Sequence, residues 1–140
     1  MKSLQHIEQE IIEEFKEFPD IDSKYSYLFK ISNDLREMDP SLKDEENLVK
    51  GCQSQLWIYL DMDDGKLSLQ VDSDSMVMKG IGALLARLVE GRTPEEIIML
   101  DLDFLDQLNI WKLASNRNNG LMGMMSHLHN QAEQLSNNFD

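Results

Sequence analysis

Apolar residues recur at steps of three and four through Leu4, Ile7, Ile11, Phe15 and Phe18. That is the helical period, and Pro19 ends the helix it predicts. Ser23 is the expected N-cap of a second helix, whose apolar positions Tyr27, Leu28, Ile31, Leu35 and Met38 share a face up to Asp39-Pro40. Residues 39–47 are polar and read as a loop. The period then changes. Leu56-Trp57-Ile58-Tyr59-Leu60 is continuous aromatic and aliphatic sequence, and Lys66-Leu67-Ser68-Leu69-Gln70-Val71-Asp72 alternates strictly. With Asp63-Asp64-Gly65-Lys66 between them, the two runs predict an antiparallel hairpin with one buried face. Leu48-Val49 is a candidate short third strand.

Ser73 or Asp74 is the expected cap of a third helix, from about Ser75 to Glu90, with Gly91 following it. Val77, Ile81, Leu84, Leu85, Leu88 and Val89 make this helix apolar nearly all round, and Gly80, Gly82 and Ala83 permit close packing. It reads as the central core helix. Thr93-Pro94-Glu95-Glu96 combines an N-cap, a proline at the first helical position and acids in the first turn. A further short helical segment is expected over Asp103–Leu108. A last amphipathic helix, beyond the polar stretch Ser115–Asn119, carries Leu121, Met124, Met125, Leu128, Ala132 and Leu135. Two helices, a small meander of about three strands, then several helices is an α+β order, read as one domain over residues 1–140 with 136–140 as a frayed tail.

The chain has 140 residues, and 41% of them are hydrophobic, which is enough for one packed core. Its net charge is −13, from 26 acidic and 13 basic residues. Such a surface repels phosphate backbones, so nucleic acid is not an expected ligand; a basic patch on a protein partner is compatible with it. There is one cysteine, Cys52, so no intramolecular disulfide can form and a reducing compartment is expected. Residues 1–17 lack the apolar core of a secretion signal, and no apolar run reaches the ~20 residues of a membrane span. The expected location is cytoplasmic, with no membrane partner.

Cys52 stands in Gly51-Cys52-Gln53-Ser54-Gln55, a setting that suits a loop tip. The residue types alone leave it open between an inert thiol and an exposed nucleophile. Arg117, in Ser115-Asn116-Arg117-Asn118-Asn119-Gly120, is a cation that would lower a nearby thiol's pKa, or an ordinary surface arginine. Asp72 and Asp74 have a spacing compatible with Mg²⁺ or with phosphoryl chemistry, but helix capping accounts for them with less machinery. His127 and His129 point about 200° apart on a helix and cannot share a metal; with His6 and one cysteine they make no zinc set. A Cys/His hydrolase using Cys52 is a further option that no spacing supports.

Four spaced blocks carry a family resemblance: Lys50-Gly51-Cys52-Gln53-Ser54-Gln55-Leu56-Trp57, Asp72-Ser73-Asp74-Ser75 running to Val77-Met78-Lys79-Gly80, Gly91-Arg92-Thr93-Pro94-Glu95-Glu96-Ile97, and Arg117-Asn118-Asn119-Gly120-Leu121. In this order they resemble the SufE family, including its CsdE type. The resemblance implies a small curved sheet packed by helices, similar to the IscU scaffold fold. It implies that Cys52 accepts persulfide sulfur from a PLP-dependent cysteine desulfurase of the SufS/CsdA type and so stimulates it. The sulfur would pass on to an iron–sulfur scaffold or another acceptor. It places Gly51, Gln53, Ser54, Asp74 and Arg117 around the cysteine as supporting or docking residues. No cofactor is implied for this chain, because PLP belongs to the partner, and no independent turnover is expected. Asn116 stands where members commonly have serine. A non-catalytic adaptor of the same fold and a small Cys-dependent hydrolase are the alternatives.

Overall fold

A computed structural model describes residues 2–50, 54–108, 110 and 117–138. Among these, five helices and one hairpin are ordered α1 (Leu4–Lys16), α2 (Ile21–Asp34), β1 (Leu56–Asp63), β2 (Lys66–Ser73), α3 (Met76–Val89), α4 (Pro94–Ile98) and α5 (Arg117–Asn138). Short 3₁₀ segments occupy Pro40–Leu42 and Leu102–Leu108. The α+β class therefore holds.

The hairpin follows directly from the alternation. β1 and β2 pair antiparallel from Leu56 opposite Ser73 to Asp63 opposite Lys66. The turn between them is Asp64-Gly65, with φ of 54° and 78°. Both central residues have positive φ, as a type I′ turn requires, and its twist matches that of the strands. Leu56, Ile58, Leu60, Leu67, Leu69 and Val71 all turn to the core. The expected third strand is only a single antiparallel bridge, Leu48 opposite Trp57, so the sheet has two strands among the described residues. Residues 44–47 form a turn immediately before it, which leaves too little extended chain for a longer ladder.

α3 is the central helix, lying between β2 and α2. Its Gly80 abuts the Leu28 backbone on α2, and Gly82 abuts the Val71 side chain on β2. Ile81, Leu84, Leu85, Leu88 and Val89 are fully buried. At roughly 1.5–3 kcal/mol for each buried aliphatic side chain, this helix contributes much of the hydrophobic driving force. α1 buries Ile11, Ile12 and Phe15 against α3 and the 102–108 segment. Its Glu14 clamps Arg87 of α3 through two bonds of 2.9 and 2.7 Å, and Tyr27 of α2 donates to the same carboxylate at 2.9 Å. Hydrogen bonding to Arg87 is the largest influence on this carboxyl and holds it below its ordinary pKa. α4 starts with a full capping box between Thr93 and Glu96 and packs against α5.

Both ends of α2 and the cap of α3 differ from the sequence expectation. α2 is capped by Asp20, whose carboxylate accepts from the Ser23 N–H at 2.8 Å, so Ser23 lies inside the helix. That helix stops at Asp34: Leu35 is extended, and Met38 reaches the core from irregular chain. Ser32 Oγ bonds back to the Phe29 carbonyl at 2.7 Å, which weakens the final turn. The cap of α3 is Ser75, whose Oγ accepts from the Met78 N–H, and neither Ser73 nor Asp74 takes that role. α5 continues through Asn138, and Ser136 donates to Glu95 at 3.1 Å.

Candidate functional site

The motif Gly51-Cys52-Gln53 lies outside the described residues; the chain that enters and leaves it is described. On the entry side, Val49 N–H donates to the Leu56 carbonyl at 2.8 Å, and Ile58 N–H donates to the Asn47 carbonyl at 2.9 Å. These two bonds flank the Leu48–Trp57 bridge. They bring Val49 and Leu56 side by side, closing a six-residue connection, 50–55, that contains Cys52.

On the exit side the Asp-Ser-Asp segment holds the chain. Gln55 N–H donates to Asp74 Oδ1 at 3.0 Å, while Asp74 N–H and Ser73 Oγ both donate to the Gln55 carbonyl, at 3.2 and 2.6 Å. Ser73 Oγ in turn accepts from Ser75 N–H at 3.1 Å. Both backbone polar groups of Gln55 are thus tied to the turn between β2 and α3. Ser54 is half-buried just ahead of this tether. Asp74 bears on the cysteine motif by holding Gln55, a different role from capping.

Asp72 faces elsewhere. It lies opposite Trp57 on the outer face of the hairpin and binds Lys43, with Lys79 at 3.6 Å and the Ser73 N–H at 2.8 Å. Burial pushes its carboxyl up, but the bonds from Lys43 and Ser73 and the charge of Lys79 outweigh that and hold it below its ordinary value. Lys43 also lies 5.8 Å from the Trp57 ring centre, a cation–π distance. The 39–47 segment is thereby fastened over the outer sheet face, helped by Asp39 N–H donating to Gln70 Oε1 at 3.3 Å. Asp72 and Asp74 therefore serve different partners and do not converge on one ion. Among the described residues no three His, Cys, Asp or Glu side chains are grouped to hold a metal.

The first half of α5 comes close to the same connection. A Cβ placed on Gly123 would overlap the Lys50 carbonyl oxygen and sit 3.2 Å from Val49 Cγ1. Only a residue without a side chain allows this approach. Arg117 opens α5 six residues earlier, about 9 Å along the axis at 1.5 Å per residue. Met122, next to Gly123, is 68% exposed.

The α5 histidines are structural. His127 Nε2–H donates to the Ile58 carbonyl at 2.7 Å, and His129 Nε2 bonds the Leu100 carbonyl at 2.9 Å. Burial holds the His127 imidazole below its ordinary pKa, against the opposing effect of the Ile58 bond. The sequence alone did not single out Asn47 or Gln131, and it offered Ser73 as a helix cap where its hydroxyl instead donates to the Gln55 carbonyl. The one available signal was that Gln131 follows His127 by four residues, a polar strip running beside the apolar face of α5.

No helix among the described residues is long and apolar enough to cross a membrane. The chain is 34% identical over 129 residues to the Arabidopsis thaliana SufE-like protein 1, chloroplastic/mitochondrial; that match covers 91% of this chain but 35% of the plant protein. It is 34% identical to a SufE-like protein of Synechocystis, covering 87% of this chain and 77% of that protein. A SufE-like protein of Rhizobium meliloti is 29% identical, with 89% and 93% covered. In three dimensions the fold matches the solution structure of a hypothetical protein from Thermus thermophilus, with a TM-score of 0.76 at 20% identity, covering 94% of this chain and 96% of that one. The family model for the SufE Fe–S metabolism associated domain matches residues 9–132. The chain belongs to the SufE family.

Proposed function

We propose that this protein accepts sulfur on Cys52 from the persulfide of a PLP-dependent cysteine desulfurase, and so speeds that enzyme's turnover. The observation that carries the reading is the double tether of the cysteine connection. Val49 and Leu56 are joined at its base and Gln55 is tied to Asp74, while the motif itself contains the chain's only thiol. Family membership supports the same chemistry.

The transfer needs no cofactor on this chain. The Cys52 thiolate attacks the outer sulfur of the donor persulfide. A new S–S bond forms at Cys52, the donor's S–S bond breaks, and the donor cysteine departs as its thiolate. No net oxidant is consumed. Cys52 leaves as a persulfide that a second acceptor, an iron–sulfur scaffold or another thiol, can take. An oriented thiol replaces a slow bimolecular encounter, which is the origin of the stimulation. Arg117, at the start of the neighbouring helix, supplies positive charge that favours thiolate and persulfide anion. Gly51, Gln53 and Ser54 shape the surface that the donor meets.

The test is the rate of alanine or sulfide release by a PLP cysteine desulfurase with L-cysteine and reductant. The native chain should raise it in a saturable manner and Cys52→Ser should not. Equal stimulation by Cys52→Ser would make the protein an adaptor.

A further inference from the structure

Along the outer edge of β1 the Leu56 carbonyl, both backbone groups of Ile58 and the Leu60 N–H are engaged, and one side chain meets two of these groups. Leu56 O accepts from Val49, Ile58 N–H donates to Asn47 O, and Ile58 O accepts from both His127 and Gln131. Gln131 Oε1 accepts the Leu60 N–H at 2.8 Å, and its Nε2 donates to Ile58 O at 3.1 Å and to Asn47 Oδ1 at 2.9 Å. Asn47 is 5% exposed and engages every polar group: N–H on Asp44, Nδ2 on the Leu42 carbonyl, Oδ1 on Gln131, and its carbonyl on Ile58. It begins the arm that leads to Cys52.

The arm touches α5 at two points, Asn47 on Gln131 and Lys50 against Gly123. Three residues of extended arm span about 10 Å. Eight residues of helix span about 12 Å. The spacings agree, so the arm lies along α5 with a defined register, held by a hydrogen bond at one end and by close packing at the other.

We propose that Gln131 is a positioning residue for sulfur acceptance: through Asn47 it fixes the entry arm of the Cys52 connection against β1 and α5. The reaction named rests on the sulfur-acceptor reading; the clamp itself does not. The polar bonds at this joint are partly buried, so water replaces them poorly. Losing them frees the arm without opening the core, since Gln131 is outside the apolar cluster.

Gln131→Met keeps the length and removes all three bonds. Gln131→Glu keeps an acceptor for Leu60 N–H but sets a carboxylate against the oxygens of Asn47 and Ile58. Gln134→Met, at an exposed position of the same helix, is the control. Three readouts are taken on the full chain: amide exchange at Val49 and Ile58, the iodoacetamide rate of Cys52, and persulfide transfer from a PLP desulfurase as a function of desulfurase concentration. Both Gln131 variants should lose about tenfold or more of the protection at Val49 and Ile58, with α3 amides unchanged. Both should change the Cys52 alkylation rate by about threefold or more. The half-saturating desulfurase concentration should rise roughly three- to tenfold with the plateau rate kept, the signature of lost pre-organisation. Protection and alkylation equal to the native chain in Gln131→Met would overturn the proposal. So would native behaviour of Gln131→Glu, which would reduce Gln131 to support for Leu60. Native chain that takes up no sulfur, with exchange and alkylation still responding in the variants, would defeat the sulfur-acceptor reading and leave the clamp standing.

Discussion

Gly123→Ala separates two opposing effects of known size. In an exposed helix interior, replacing glycine by alanine stabilises by about 0.8–1.0 kcal/mol. Here the new methyl would meet the Lys50 carbonyl oxygen and the Val49 side chain. Restoring an ordinary carbon–oxygen contact of ~3.3 Å takes a displacement on the order of 1 Å. The obstacle is backbone, so rotamer change cannot relieve it; either α5 or the arm must move. Overpacking of this kind costs about 1–3 kcal/mol. The net expectation is between roughly no change and 2 kcal/mol of destabilisation, combining the two. Urea unfolding measures it directly. Because the displaced carbonyl is two residues before Cys52, the Cys52 alkylation rate should change as well. Stabilisation of about 1 kcal/mol with an unchanged thiol rate would refute the close approach of α5 to the arm.

Further substitutions probe the remaining structure. Leu84→Ala, in the fully buried centre of α3, should cost about 2–5 kcal/mol in urea unfolding. Thr93→Ala removes the capping box of α4 and should cost about 1 kcal/mol. Asp74→Ala should raise amide exchange at Gln55 while leaving the β1–β2 amides protected, because its carboxylate is that N–H's acceptor. His127 supplies a pH dependence. Its folded pKa is below the ordinary 6.5, so the unfolded chain binds the proton more readily. Stability is therefore retained above about pH 6.5 and declines as pH falls through and below it. His127→Gln should flatten that decline in urea midpoints measured across this range; an undiminished slope would assign it to another group.

Much of the fold is legible locally. The hairpin is written in two runs of strand-like sequence and an Asp-Gly turn, and α3 in an apolar stretch with small residues where α2 and β2 press against it. Caps were harder to place, because Asp, Ser and Thr near a boundary compete for the same orphan N–H groups. Asp20 caps α2 with Ser23 donating to its carboxylate from inside the first turn, and Ser75 caps α3 while Asp74 is engaged by Gln55. Asp74 could not be assigned to Gln55 from the sequence, since 19 residues and a whole hairpin separate them. The cysteine motif was recognisable as a string of residues. Its supports were not: Asn47 and Gln131 are 84 positions apart and meet only because α5 folds back along the edge of β1.

Sulfur acceptance at Cys52 is read most directly by intact-protein mass spectrometry after incubation with a PLP cysteine desulfurase and L-cysteine. The native chain should gain the mass of one sulfur, removed by reductant, and Cys52→Ser should gain none. No gain on the native chain with an active cognate desulfurase, or equal gain on Cys52→Ser, would contradict the account.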